Sequence, residues 1–165
     1  MDIRRHVLTG APGAGKTTLA EALRRRGHVV VREAATDVVA RGGDGDGFVD
    51  TVLALQLTRE RASTAPVQVL DRSPLCTLAL ARYLGLPPSA ALLAAVADAG
   101  RYQRTVFLIQ PLGFITPTAV RRISYADSLR FAAIHEEVYR EYGFTLVEVP
   151  PAPVADRVAL VERFL

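Results

Sequence analysis

The segment Gly10-Ala11-Pro12-Gly13-Ala14-Gly15-Lys16-Thr17 constrains this chain more than any other. Its glycines cannot sit inside a helix or strand without cost, so the backbone must turn here. Upstream, His6-Val7-Leu8-Thr9 reads as a short buried strand. Downstream, Thr17 to Gly27 places Leu19, Ala20 and Leu23 on one face and ends in Arg24-Arg25-Arg26-Gly27, a cationic helix terminus stopped by glycine. In a strand, glycine loop and helix taken in that order, successive backbone N–H groups converge on an anion, and the helix adds the positive end of its dipole. The spacing G-x-x-x-x-G-K-[ST] is complete, so the expected anion is a phosphate chain cradled by Gly10, Ala11, Pro12, Gly13, Ala14, Gly15, Lys16, Thr17 and Thr18. Lys16 would reach the terminal phosphates and the Thr17 hydroxyl would face Mg²⁺. The competing reading is a glycine-rich turn that only joins strand to helix.

Lysine is almost absent elsewhere: of 20 basic residues, 19 are Arg and one is Lys16. Compositional drift toward Arg explains this on solvated faces, but the two differ where a compact ammonium must reach a phosphate. The 165 residues, half hydrophobic and 22% charged, fit one compact domain spanning 1–165. A single cysteine, Cys76, excludes an intramolecular disulfide, and with three scattered histidines it offers no zinc-ligand spacing. No run approaches the roughly 18 apolar residues of a membrane span and no signal-peptide pattern is visible, so a cytoplasmic protein with no membrane partner is expected. The net charge of +3 comes with interspersed acids and no aromatic–basic stripe, so no nucleic-acid partner is expected.

The rest of the chain alternates between strand and helix patterns. His28 to Glu33 reads as a second strand ending in a carboxylate, and 34–41 as a short helix. Residues 42–47, rich in Gly and Asp, predict a mobile flap; a calcium loop at Asp44 and Asp46 has the wrong spacing. Phe48 to Ser63 has helical period, Val67 to Leu70 is a third strand, and Pro74 suits a helix start. Helices are expected at 74–84 and 88–99, strands at Thr105–Ile109 and Phe144–Val149, and a final helix from Val154 to Phe164. Between the last two strands lie a lid at 112–125, carrying Arg121-Arg122, and an amphipathic helix with Phe131, Ile134 and Val138. The fold class expected is α/β, a five-stranded parallel sheet with helices on both faces. Ligands of such sheets bind beyond the carboxyl ends of the strands, which draws notice to Glu33 and Asp71-Arg72.

The phosphate loop, Glu33 at the end of the second strand, Val69-Leu70-Asp71-Arg72-Ser73 and Arg121-Arg122 together resemble the P-loop kinases of small molecules. The likeness is closer to bacterial AAA-domain predicted ATPases or kinases related to ribosylnicotinamide kinase. It rests on Glu33-Ala34-Ala35 and on the run from Tyr139 to Pro150, and it spans nearly the whole chain. It implies a three-layer P-loop fold and transfer of the γ-phosphate of Mg-ATP or Mg-GTP to a small hydroxyl- or phosphate-bearing acceptor. Pro150-Pro151-Ala152-Pro153 lies where nucleotide kinases place their base-binding loop, without a recognisable adenine-binding arginine.

Each residue has a plainer reading beside this one. Glu33 would orient or deprotonate the acceptor, or merely favour a helix dipole. Asp71 would place Mg²⁺ with Thr17, or cap the helix near Pro74. Arg72, with Glu33 and Asp37 on the acceptor side, would bind substrate, or simply pair with Asp37 or another surface carboxylate. Arg121 and Arg122 would close over the transferring phosphate, or stay solvated. Cys76 reads as core, and His135 as a packing or surface residue more than a catalyst. The rival to a kinase is a nucleotide-binding switch or slow hydrolase with the same loop and no acceptor.

Overall fold

The computed structural model describes residues 2–43, 45–112 and 123–165. The expected lid arginines Arg121 and Arg122, and Asp44 of the flap, lie outside the described residues. In chain order the elements are β1 (Arg4–Thr9), α1 (Lys16–Arg25), β2 (Val30–Val31), α2 (Ala35–Ala40), α3 (Phe48–Ala62), β3 (Val67–Asp71) and α4 (Pro74–Tyr83). There follow α5 (Ala90–Ala97), a 3₁₀ turn at Ala99–Arg101, β4 (Thr105–Ile109), α6 (Tyr125–Glu141), β5 (Thr145–Val149) and α7 (Val154–Glu162).

The five strands form one parallel sheet in the order β2-β3-β1-β4-β5. Parallel neighbours need crossovers, and the chain supplies helices long enough to make them. Strand order reverses at β1, which pairs with β3 on one side and β4 on the other, so the loops leaving β1 and β4 diverge and open a crevice at Gly10.

Alternation along the strands sends side chains to two cores. Val7, Leu70 and Val106 face α3 to α6, where Leu53, Leu75, Leu92 and Tyr139 are buried. Leu8, Val69, Phe107 and Ile109 face α1 and α7, where Leu19, Leu23, Val158 and Val161 are buried. The register Val7↔Leu70 and Val7↔Val106 explains why these three share a face.

Two elements differ from expectation for local reasons. The strand expected over His28 to Glu33 is reduced to Val30–Val31, because β2 is an edge that pairs only with β3 and its neighbour Val29 is 40% exposed. The helix expected at 88–99 begins only at Ala90, since Pro87 and Pro88 precede it and the Ser89 hydroxyl caps it by accepting from Leu92 N at 3.1 Å.

Phe107 lies in the middle of β4, fully buried, with the Phe164 ring edge-on at 5.3 Å. Phe107→Ala is expected to lower the free energy of unfolding in urea by about 3–5 kcal/mol. A loss below about 1 kcal/mol would mean that the α1/α7 face closes around the gap.

Candidate active site

Gly10 leaves β1 with φ +134°, and a Cβ there would lie 2.5 Å from the Ile109 carbonyl oxygen, so only glycine fits where the loop passes the end of β4. Gly13 and Gly15 also hold positive φ, at +83° and +88°, and Gly15 leads directly into α1. Lys16, the first residue of α1, is 5% exposed, and its Nζ donates to Ala11 O at 2.9 Å, folding the ammonium back over its own loop. Burial lowers its pKa to about 8; Arg72 pushes the same way, while Asp71 and Glu33 oppose.

Asp71 closes β3 opposite Leu8 and is buried, and its Oδ1 has no hydrogen-bond partner among the described residues. Burial pushes this carboxyl up to about 6 against the pull of Lys16. The helix that follows is capped by Ser73, whose hydroxyl accepts from Leu75 N at 3.2 Å, so the capping role read for Asp71 belongs to its neighbour. At Glu33 burial also favours the neutral form, but Arg72, Lys16 and hydrogen bonds from Thr36 outweigh it and hold the carboxyl below its usual range. Thr36 Oγ1 donates to Glu33 Oε1 at 3.1 Å, so Glu33 does sit over the first turn of α2 as well as facing the site.

Arg72 adopts φ +81°, the one non-glycine residue with positive φ among the described residues. That conformation costs about 1–2 kcal/mol and persists because both ends of the residue are held. Its N–H donates to Leu8 O at 3.1 Å, and its carbonyl accepts from Gln56 Nε2 at 3.3 Å. The guanidinium lies 3.8 Å from Glu33 Oε2 and donates to His135 Nε2 at 3.0 Å. Complete burial, reinforced by Arg72, drives the His135 pKa well below its ordinary value and keeps the ring neutral. Its Nδ1–H donates to Phe131 O at 2.8 Å, which leaves Nε2 as the lone-pair acceptor that Arg72 needs. His135 is thus a packed, buried residue with a positioning task. Its sequence signal was a lone polar ring within the apolar stripe of α6.

Glu33 and Arg72 meet as the residues between them suggest, but Asp37 goes elsewhere. Arg59 donates to both the Glu33 carbonyl and the Asp37 carboxylate, and Arg32 stands 3.5 Å from the same carboxylate. Of the carboxylates open to it, Arg72 pairs with Glu33 and not with Asp37, and Asp37 fastens the start of α2 to α3. Cys76 is core, as expected, with its Sγ 3.2 Å from Tyr139 Oη.

Two cavities flank Glu33. One, of about 130 Å³, is apolar and bounded by Pro12, Ala34, Phe48, Val52, Leu80 and Phe131, with Glu33 and Arg72 at its edge. The other, of about 140 Å³, is lined by Ala20 and Val30 together with Thr17, Glu33, Thr36, Asp37 and Asp71. Among the described residues no cluster of three or more His, Cys, Asp or Glu forms a cage for a metal. Thr17 and the Asp71 carboxylate, whose Oδ1 has no partner among the described residues, fit instead a cation that keeps most of its waters, as Mg²⁺ does. A further residue, Arg157 of α7, went unnoticed in the sequence; it is buried against the phosphate loop, with Nη1 donating to Ala14 O at 2.7 Å. Its one signal is a cation in the first turn of a helix, where the dipole favours an acid.

The raised pKa of Asp71 gives a testable sign. A protonated Asp71 favours the fold fully below its ordinary value of 3.8, and that advantage is lost as pH rises through about 6. In metal-free buffer at pH 7–8, Asp71→Asn should therefore be more stable than the parent by about 2–3 kcal/mol, with the difference vanishing near pH 4. Equal thermal stability at both pH values would show that Asp71 is solvated.

The profile of a family described as an AAA domain matches residues 5–157. No curated protein is significantly similar in sequence. Among solved structures, the NadR protein in complex with NAD and AMP-PNP superposes with a TM-score of 0.71 at 17% identity, covering 99% of this chain and 49% of NadR. Thymidylate kinase from Ehrlichia chaffeensis gives 0.68 at 15% identity, with 99% of both chains covered. Deoxyadenosine kinase from M. mycoides with bound dATP gives 0.57 at 13% identity, covering 97% of this chain and 98% of the kinase. At these identities the likeness establishes the fold. Among the described residues no helix is long and apolar enough to cross a membrane.

Proposed function

The chain belongs to the AAA domain family and has a P-loop kinase fold, and from that footing we propose that it transfers the γ-phosphate of a nucleoside triphosphate to a hydroxyl on a small acceptor with a flat, apolar body. The observation that carries this reading is Glu33, an ionised carboxylate shared by two cavities, one lined by Thr17 and Asp71 and one apolar between Phe48 and Phe131. A site for hydrolysis alone has no use for the second cavity. The AMP-PNP carried by the NadR protein supports ATP as the donor.

In this reading the backbone N–H groups of Gly13 to Thr18 and the Lys16 ammonium hold the β- and γ-phosphates. Thr17 and Asp71 would hold Mg²⁺, which when bound neutralises charge on the phosphate oxygens. Phe48 and Phe131 grip the acceptor body, and Arg72, fixed by His135, aligns its hydroxyl with Glu33. The acceptor oxygen bonds to the γ-phosphorus as the bond to the β–γ bridging oxygen breaks; Glu33 takes the hydroxyl proton and the nucleoside diphosphate leaves. Because Glu33 is a weak base, its proton transfer comes late, which suits a loose transition state that gains little from early deprotonation.

Acceptor-dependent release of nucleoside diphosphate, measured with Mg-ATP and Mg-GTP against pooled nucleosides, nucleotides, sugars and other hydroxyl metabolites, tests the proposal. Stimulation by one pool is expected, and slow release indifferent to every pool would favour a switch or hydrolase. With the active pool, Lys16→Ala should abolish turnover in a folded protein, and Glu33→Gln should lower kcat by about 100-fold or more while leaving the nucleotide KM near its parent value.

A separate pair of variants tests the positioning of Arg72. His135→Leu should raise the acceptor KM by about tenfold without moving the nucleotide KM, and His135→Gln, whose Oε1 can still accept from Arg72, should recover most of the loss. Equal losses in the two variants would reduce His135 to a filler of space.

A further inference from the structure

Arg157 stands in the first turn of α7, 4% exposed, and its guanidinium donates to three main-chain carbonyls from three different segments. Nη1 reaches Ala14 O in the phosphate loop at 2.7 Å, Nη2 reaches Gln110 O after β4 at 2.9 Å, and Nε reaches Pro150 O after β5 at 2.9 Å. Among the described residues no carboxylate pairs with it. Burial works against its charge, yet a guanidinium stays protonated in proteins, so the fold keeps a full positive charge directly behind the loop.

Two consequences follow from geometry. A trans peptide holds its C=O and N–H on opposite sides, so the bond that draws Ala14 O toward Arg157 turns the Gly15 N–H the other way, out of the protein and into the anion cradle. The charge is also close: a Cβ on Gly15 would lie 3.1 Å from Nη1. A buried cation is costly when only dipoles answer it. Three carbonyls engage three of its five donors, but among the described residues they leave its charge without a counter-charge on the protein side, and an anion on the far side of the loop supplies one.

We infer that Arg157 is a positioning residue of the triphosphate site, which aims the Gly15 N–H at the phosphates and adds, through the loop, a second buried positive charge to that of Lys16. The polyphosphate of the nucleotide is its counter-anion. This rests on the reading of Gly10 to Thr17 as the nucleotide site, and it assigns α7, which lines neither cavity beside Glu33, to nucleotide affinity and not to the acceptor.

The test is titration of the full chain with a fluorescent ADP analogue in the presence of Mg²⁺, together with the melting midpoint without nucleotide, for Arg157→Gln, Arg157→Lys and Lys16→Ala. Arg157→Gln should weaken ADP binding by about tenfold or more while its melting midpoint stays within a few degrees of the parent or rises, because a buried charge has been removed. Arg157→Lys keeps the charge and loses the fork, and should fall in between, at about threefold weaker. ADP affinity within twofold of the parent in both variants overturns the inference, as does a collapsed melting midpoint with unchanged affinity in the folded fraction, which would make Arg157 a strut. Should Arg157→Gln fail to fold, Arg157→Lys decides on the same criteria. If Lys16→Ala loses affinity while both Arg157 variants bind normally, only this inference fails. If Lys16→Ala itself binds as the parent does, the reading of the loop fails with it.

Discussion

The site depends on the close pass of Gly10 beneath the Ile109 carbonyl, where a side chain of any size would strike backbone. That approach exists because β1 is hydrogen-bonded on both edges, to β3 and to β4, and its carboxyl end is therefore fixed in three directions. The same pairing sets Asp71 beside Leu8, and the Arg72 N–H bond to Leu8 O continues it one residue past the end of β3. The positions of the glycine loop, Asp71 and Arg72 are thus one fact about β1, and are not three separate placements.

Around that fixed end the fold crowds four titrating groups that would separate in water. Lys16 and Arg72 face Asp71 and Glu33 at low exposure, and the shifts run in opposite senses: Lys16 down, Asp71 up, Glu33 down. Burial sets the sign at Lys16 and Asp71, disfavouring both charged forms, and only at Glu33 do the neighbours overturn it. Glu33 has the Arg72 guanidinium 3.8 Å away and is held ionised, whereas at Asp71 the pull of Lys16 does not offset burial and Oδ1 has no partner among the described residues. Two carboxylates of similar chemistry are thereby shifted in opposite directions by their surroundings.

Much of this was legible in the sequence, because its strongest signals are local. The glycine loop, the apolar runs of β3 and β4, the proline at the start of α4 and the carboxylates at strand ends depend on residues close in the chain. What was not legible depends on distant partners. Asp37 sits one turn past Glu33, but its destination was set by Arg59 on another helix. The six-residue second strand shrank to two because its outer edge found no partner. His135 and Arg157 look unremarkable along the chain and acquire roles only when α6 and α7 bring them 63 and 143 positions away from themselves in sequence, to Arg72 and Ala14. Fork-shaped donors that bridge segments leave no periodic trace.

The uneven use of arginine and lysine follows from the same distinction. Arg72 and Arg157 each engage partners on more than one segment, and Arg59 engages a carbonyl and a carboxylate at once, tasks suited to a rigid planar fork that loses little freedom per bond formed. Lys16 makes a single bond to its own loop through a flexible stem, and so ties no second segment to itself. A guanidinium at position 16 would keep the charge and lose the compact, reorientable head, so the chain's one lysine stands where the geometry tolerates no substitute.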